Sequence, residues 1–218
     1  MMQKIMTSPP SEALAELPLA PDTRSRILAA AQRLFRQRGY HATGLADILQ
    51  LAGAPKGSMY HHFPGGKEAI GVCVIENIAA GLLGLLAASR ARSIEAVVLQ
   101  VGAKMATVME KTQYELCTLF AAFAAERKTS PLLGEAVARA YDELTSAIEL
   151  RLRSEGHALR TAKDTALTVT ALLEGGSMLS QAQQSTAAFR LSVKQAALLC
   201  RVYGVGQSRR TEKPAGHR

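Results

Sequence analysis

The spacing of apolar residues is helical over almost the whole chain, and no other feature of the sequence constrains the fold as strongly. Between Thr23 and Phe35, apolar side chains recur three and four residues apart, so they share one face of an α-helix. Alternating Val, Ile and Thr runs and Asn-Gly or Asp-Gly turns, which signal strands, are nearly absent. The sequence therefore predicts an all-α protein. After a long apolar connector that begins at Lys67, helices are expected at about 93–111, 114–127, 131–155, 161–184 and 186–204.

The ends of the chain differ from this helical body. Four prolines interrupt the first 22 residues, which also lack the basic start and continuous apolar stretch of a secretory signal. No uninterrupted apolar run reaches the roughly 18 residues that span a bilayer. We therefore expect a disordered leader over 1–22, a disordered basic tail over 205–218, a cytoplasmic location and no membrane partner.

The positive charge is concentrated in a short N-terminal module. Residues 23–67 contain five Arg and two Lys against Asp47 alone, whereas basic and acidic residues balance over 68–200. A compact basic module beside a neutral body indicates a polyanionic partner at one end of the molecule.

The three cysteines, Cys73, Cys117 and Cys200, are far apart and form no CxxC pair. A disulfide framework or a cysteine zinc site is not expected, and each is interpreted as a buried free thiol. Catalytic signatures such as G-x-S-x-G and H-E-x-x-H are absent from the sequence. The chain is therefore predicted to be neither an enzyme nor dependent on a cofactor.

Two short helices behind a longer one are predicted within the basic module. Thr23 is the expected N-cap of the long helix and Gly39 its end. Thr43 is expected to cap the second helix, Gly53 to form the turn, and Pro55 to open the third helix. This order is that of a helix-turn-helix, whose second short helix enters the major groove of DNA.

The third helix lies in the segment GSMYHHFPGGKE. Met59 and Phe63 are one turn apart, so both are expected to point into the core. The rest of the helix is then distributed with Gly57, Ser58 and His61 on the outward face and Tyr60 and His62 on its flanks.

Two chemical interpretations of this segment fit poorly. His61 and His62 diverge by about 100° around a helix, whereas metal ligands on one face are spaced three or four residues apart. Gly65-Gly66-Lys67 lacks both the frame of a nucleotide-binding loop and a strand before it. No metal site is predicted here.

The stretch from Thr23 to Ile70 resembles the DNA-binding domain of the TetR family of transcriptional repressors. The resemblance rests on Arg-x-x-Ile, Leu-Phe-x-x-x-Gly-Tyr, Ala52-Gly53 and Gly57-Ser58-x-Tyr60-x-His62-Phe63 followed by Lys67-Glu68. The variant APKGSMYHHFPGGKE is similar to the LmrA/YxaF-like branch, whose members often respond to drugs or small aromatic compounds.

The resemblance implies an N-terminal three-helix DNA-binding domain over 23–68 and a helical effector-binding and dimerisation domain over 69–204. It implies a homodimer on a palindromic double-stranded DNA operator, joined through helices at about 161–184 and 186–204, and released by a small-molecule effector. Base contacts would come from Pro55, Lys56, Gly57, Ser58 and His61, and phosphate contacts from Thr43, Tyr60, His62 and Lys67. In this sequence Pro55-Lys56 replaces the more usual serine-containing opening, and an extra glycine precedes Lys67.

Candidates for the effector pocket are apolar residues on the later helices and one acid. Glu174 stands within the apolar stretch LTVTALLEGGSML, where a buried carboxylate needs a partner, either a protein group or a cationic ligand. The other candidates are Met105, Met109, Phe120, Phe123, Tyr141, Leu172 and Met178.

Two other functions remain open on the sequence. A ligand-independent DNA organiser would bind with little sequence preference and an affinity set by salt. A carrier or enzyme that uses a helical cavity would not need the helix-turn-helix at all.

Overall fold

The computed structural model describes residues 22–114 and 119–205, and within these ranges it is helical and without strands. The prediction of an all-α fold is confirmed. The predicted leader and tail lie outside the described residues, apart from Asp22 and Val205. The helices are α1 (Thr23–Arg38), α2 (Leu45–Ala52), α3 (Lys56–His62), α4 (Gly66–Ala88), α5 (Ile94–Lys111), α6 (Leu119–Ala125), α7 (Pro131–Ser154), α8 (Leu159–Gln183) and α9 (Ala187–Val205), with a 3-10 turn at Glu126–Lys128.

Two predicted N-caps were wrong by one residue: the cap of α1 was placed one residue too late and that of α2 one residue too early. Asp22, not Thr23, is the N-cap of α1, and its carboxylate accepts a hydrogen bond of 2.6 Å from the Ser25 N–H. Gly44, not Thr43, is the N-cap of α2, and its N–H donates to the Asp47 carboxylate at 3.2 Å. A carboxylate satisfies free N–H groups at a helix start as well as a hydroxyl does, so sequence alone does not separate neighbouring candidates.

The three short N-terminal helices do not have a core of their own. Ile27, Ile48, Met59 and Phe63 belong to one buried cluster that continues through α4 into α6 and α7. The helix-turn-helix unit and the start of the larger body are therefore packed as one unit across the predicted domain boundary at residue 68.

Helix α4 is the element that joins the two parts. It buries Ile70, Val74 and Ile75 in the cluster that contains α1 and α7. Within the described residues, α4 is the helix that is long enough and apolar enough to cross a membrane, judged by length and composition alone. Glu76 interrupts the apolar sequence of α4, so the helix contains no uninterrupted apolar run of bilayer-spanning length. This is weak evidence for a membrane segment, because the core helix of a soluble protein meets the same criteria.

The second buried cluster joins α5, α7, α8 and α9, with Ile94, Ile148, Val169 and Phe189 among its members. Helices α8 and α9 are in close contact at Gly176. A Cβ atom at that position would lie 2.5 Å from the Ser192 Oγ and 3.1 Å from the Phe189 Cα, so only glycine fits without moving backbone.

Two cysteines lie in the described part of the chain, and both are free. Cys200 is buried as expected, and its burial raises the pKa of the thiol to about 12. Cys73 is half-buried and Arg24 lies 3.5 Å from its sulfur. Cys117 lies outside the described residues.

Candidate DNA-binding face and internal cavity

Helix α3 presents its polar side to solvent and its apolar side to the core. Met59 and Phe63 are 1% and 2% exposed, which confirms the orientation predicted from the helical wheel. Pro55 is the N-cap residue of α3 rather than its first residue. Of the residues predicted to contact DNA on this helix, Ser58 and His62 are half-buried, and the exposed ones are Pro55, Lys56, Gly57, Tyr60 and His61.

The surface around Gly57 is open, since no atom would lie within 4 Å of a Cβ added there. A flat, small-residue patch at the start of a helix lets its backbone approach a second molecule closely. The Tyr60 side chain beside it is 51% exposed, which leaves its hydroxyl free to bind an outside partner. The contacts of these residues with DNA remain predictions.

The acidic groups near this face are engaged within the protein. A hydrogen bond from the Ser25 backbone N–H lowers the pKa of the Asp22 carboxyl and keeps it ionised as a helix cap. The Asp47 carboxylate caps α2 and lies 3.8 Å from the Arg38 guanidinium. The remaining charge of the module is basic, which favours a polyanion.

Thr43 does not lie where the resemblance implied. Its side chain is 0% exposed, and its hydroxyl donates to the Gly39 carbonyl at 2.8 Å. The hydroxyl proton is therefore used inside the turn between α1 and α2. The expectation that Thr43 binds a phosphate is not supported by this geometry.

Lys67 is also directed inward. Its ammonium donates to the carbonyls of Tyr40 and Thr43, both at 3.1 Å, and lies 4.3 Å from the centroid of the Tyr40 ring. These bonds join the start of α4 to the turn before α2, and the phosphate contact of Lys67 stays a prediction. Gly66 adopts a φ of 63°, which lets the chain turn sharply from α3 into α4 and sets this direction.

Three aromatic rings continue this junction, and we call Phe35, Tyr40 and Phe123 the aromatic seam. The Phe123 ring on α6 lies 5.6 Å from that of Phe35 and 5.8 Å from that of Tyr40, both in edge-to-face geometry. At the edge of the seam, His41 contacts Glu126 across the same boundary. The seam therefore attaches α6, a helix of the larger body, to the unit formed by α1, α2 and α3, which we call the DNA-reading unit after its predicted role.

A cavity of about 190 Å³ lies inside the larger body. Its walls come from α4, α5, α6, α7, α8 and α9 and are mostly apolar. Its described lining consists of Ile78, Leu82, Leu86, Val98, Val101, Gly102, Met105, Val108, Met109, Leu119, Phe120, Tyr141, Leu144, Ile148, Thr170, Leu173, Glu174, Ser177 and Phe189.

Five of the eight pocket candidates line this cavity: Met105, Met109, Phe120, Tyr141 and Glu174. The other three are not among its described lining residues, because the helices turn them elsewhere. Phe123 is part of the aromatic seam, Leu172 packs in the second core cluster, and Met178 is 50% exposed on the outer side of α8.

Sequence reasoning missed the contribution of α4 to the cavity, namely Ile78, Leu82 and Leu86. Their spacing of four residues was visible as one stripe of an apolar helix. The stripe could not be assigned to a cavity because α4 is apolar on several sides.

Glu174 is the carboxyl group in this lining. Burial raises its pKa above the ordinary value, and the Tyr141 hydroxyl opposes that effect by hydrogen bonding. The Glu174 Oε1 atom is buried and has no hydrogen-bond partner among the described groups. The cavity therefore contains an acceptor that the protein itself leaves unsatisfied.

Known proteins resemble both parts of this arrangement. A family model described as bacterial regulatory proteins, tetR family, matches residues 27–70, and another described as transcriptional regulator LmrA/YxaF-like, C-terminal domain, matches residues 94–195. The HTH-type transcriptional regulator LmrA of Bacillus subtilis is 34% identical over 178 residues, which are 78% of this chain and 93% of LmrA. YxaF, an uncharacterized HTH-type transcriptional regulator of the same organism, is 30% identical over 187 residues, which are 84% of this chain and 97% of YxaF.

The crystal structure of a TetR transcriptional regulator from Legionella pneumophila has the same fold. Its TM-score is 0.73 at 20% identity, over 83% of this chain and 98% of that chain.

The position of Lys67 leads to a test by substitution. We expect Lys67→Met to lower the free energy of unfolding by about 1.5–3 kcal/mol, the worth of a hydrogen bond from a charged donor. Denaturant titration measures this, with Lys104→Met as the control because Lys104 is an exposed lysine on α5. An unfolding curve that matches the control, together with weaker DNA binding, would restore the phosphate role of Lys67.

Proposed function

Because the chain belongs to the LmrA/YxaF-like branch of the TetR family of bacterial transcriptional regulators, we propose that it is a ligand-responsive repressor. It binds a palindromic operator as a homodimer in the cytoplasm, and a small molecule releases it. Its relatives are helix-turn-helix regulators, and the chain is not an enzyme. The observation that carries the proposal is that α4 and α6 each line the cavity and also contact the DNA-reading unit.

The reading face supports a division of labour along α3. Tyr60 lies on a flank, where its hydroxyl can donate to a backbone phosphate, and His61 lies on the outward face, where it can reach base edges. Phosphate contacts fix position without sequence information, and base contacts supply the sequence preference.

Two neighbouring substitutions separate these roles. We expect Tyr60→Phe to weaken binding to palindromic and random duplexes by the same factor, because a lost phosphate contact is independent of sequence. We expect His61→Ala to lower mainly the ratio of the affinity for the palindromic duplex to the affinity for the random duplex. The loss corresponds to roughly 1–3 kcal/mol, the discrimination that one base contact supplies. Fluorescence anisotropy at one fixed salt concentration measures both ratios. Equal losses of discrimination in the two variants would contradict the assignment.

The outer sides of α8 and α9 support dimerisation. Leu167 is 63% exposed, Leu179 54% and Leu191 58%, and Met178 and Leu198 are further exposed apolar residues of the same two helices. Gly175 on α8 is open as well, with no atom within 4 Å of a Cβ placed there. An apolar surface of this kind on two adjacent helices fits a two-fold interface, and a two-fold dimer fits a palindromic operator.

The dimer is tested with a charge placed on this surface. We expect Leu191→Glu to sediment as a monomer and to lose operator binding, because two-fold symmetry brings a second buried carboxylate into the same interface. Leu132→Glu is the matched control, since Leu132 is 54% exposed but lies at the start of α7. A Leu191→Glu protein that sediments as a dimer would place the interface elsewhere.

Two helices, α4 and α6, connect the cavity to the DNA-reading unit. On α4, Ile78, Leu82 and Leu86 line the cavity, and Lys67 at the start of the same helix holds the turn before α2. On α6, Phe120 lines the cavity, and Phe123 belongs to the aromatic seam. A ligand that fits better when these helices shift would therefore move the two reading units apart or together, and release DNA by its differential affinity.

A large side chain can take the place of the ligand. We expect Met105→Trp to fill part of the cavity and to weaken operator binding by about tenfold or more. A tenfold loss corresponds to a cost of about 1.4 kcal/mol for the DNA-binding conformation when the cavity is occupied. The chain has no tryptophan, so a blue-shifted emission from the new residue reports that it is buried. Leu99→Trp is the control, because Leu99 is an exposed residue of the same helix. A buried indole at position 105 with unchanged operator affinity would contradict the coupling.

A further inference from the structure

The polar groups of the cavity define what its ligand must offer. Apart from Glu174, the polar side chains of the described lining belong to Tyr141, Thr170 and Ser177, and no Lys, Arg or His is present in that lining. An ionised carboxylate there has no cation from the protein to balance it.

Two of these three hydroxyl groups already donate their hydrogen bond to a backbone carbonyl. The Thr170 hydroxyl donates to the Ala166 carbonyl at 3.0 Å, and the Ser177 hydroxyl donates to the Leu173 carbonyl at 2.9 Å. A hydroxyl has a single proton, so neither group can also donate to Glu174. The Tyr141 hydroxyl is the one remaining donor in the described lining, and its proximity lowers the pKa of the Glu174 carboxyl.

One donor is too few for this carboxylate. An ionised carboxylate accepts up to about four hydrogen bonds, and the Glu174 Oε1 atom is buried without any. Leaving a buried charged group unsatisfied is costly, and the cost disappears if a ligand supplies both the missing donor and the missing positive charge.

We propose that the effector is an organic cation, an apolar and preferably aromatic molecule with a protonated amine whose N–H groups donate to Glu174. This inference rests on the proposed ligand-responsive function and names the class of ligand for the same cavity. An anionic ligand is disfavoured, because its charge would be buried beside a carboxylate with no base to offset it.

The remaining walls suit the rest of such a molecule. The Phe120 and Tyr141 rings lie edge to face with centroids 5.3 Å apart, and Phe189 adds a third ring to the lining. Aromatic rings bind apolar ring systems, and their faces also attract a cation. The ammonium is thus placed by Glu174 and the ring system by the aromatic walls.

The same geometry makes binding dependent on pH. Burial raises the pKa of Glu174, so in the free protein its carboxyl takes up a proton at a higher pH than an exposed glutamate does. A protonated Glu174 has no charge for the ammonium, so affinity falls as the pH is lowered through that pKa. Tyr141, the other titratable group of the described lining, has a pKa raised by burial and by Glu174 and stays neutral over this range.

Three probes with one ring system and different head groups test the ligand class. They are 1-naphthylmethylamine, 1-naphthylmethanol and 1-naphthoate, which carry an ammonium, a hydroxyl and a carboxylate at neutral pH. Isothermal titration calorimetry on the full-length protein measures each affinity. We expect the amine to bind about tenfold or more tightly than the alcohol, the naphthoate to bind weakest, and the amine alone to lose affinity at low pH.

Substitution of the carboxyl then identifies its partner. We expect Glu174→Gln, which keeps the size of the side chain, to remove the advantage of the amine and its pH dependence while the alcohol still binds. Glu143→Gln removes the same charge from an exposed position of α7 and is expected to change neither. Equal affinities of the three probes, absence of binding by all three, or an amine preference that survives in Glu174→Gln would overturn the proposal.

The relative affinities of the three probes for the unsubstituted protein test the ligand class even if Glu174→Gln does not fold. Operator binding is measured on the same samples. Operator binding that persists without a preference for the amine rejects the ligand class and leaves the regulator intact. A protein that binds no operator contradicts the proposed function instead.

Discussion

The ammonium of Lys67 holds two backbone carbonyls in the turn before α2, and the placement of the DNA-reading unit depends on this contact. Three short helices of 16, 8 and 7 residues bury too little surface to stand alone. They share their core with α4, α6 and α7, and the aromatic seam extends that core to the edge of the larger body. The orientation of α3 is therefore a property of the whole molecule, and a change in the body can alter it.

The cavity shows a different balance, in which a polar group is kept where packing would favour an apolar one. Glu174 is half-buried, its Oε1 atom is buried and unsatisfied, and desolvation disfavours the charged form of the carboxyl. A leucine at this position would avoid that cost. A buried acceptor inside apolar walls is typical of binding sites, where a few polar groups orient a ligand that the walls hold by shape.

Helices α8 and α9 combine very close packing on one side with apolar exposure on the other. The contact at Gly176 leaves no room for a Cβ atom, whereas Leu167, Leu179 and Leu191 face solvent in the single chain. A tightly joined pair of helices makes a rigid platform, and its exposed apolar side is suited to a second copy.

The sequence by itself determined the helices, because their periodic apolar faces and their Gly and Pro boundaries are local features. The limits predicted for four of the five later segments agree with α5, α7, α8 and α9 within about two residues, the usual uncertainty of helix ends. The fifth segment, 114–127, contains α6 but begins at residues that lie partly outside the described ranges. Met59 and Phe63 were assigned to the core correctly from the helical wheel alone. Tertiary structure decided the rest. Lys67 and Thr43 turned inward because carbonyls of a distant turn lie within reach, and no pattern in the sequence records that distance. Phe123, Leu172 and Met178 are not among the described lining residues of the cavity, because neighbouring helices fix which of several apolar faces points inward. Glu174 stood out in the sequence as an acid among apolar residues, but only the fold gave it Tyr141 as a partner and left one oxygen without any.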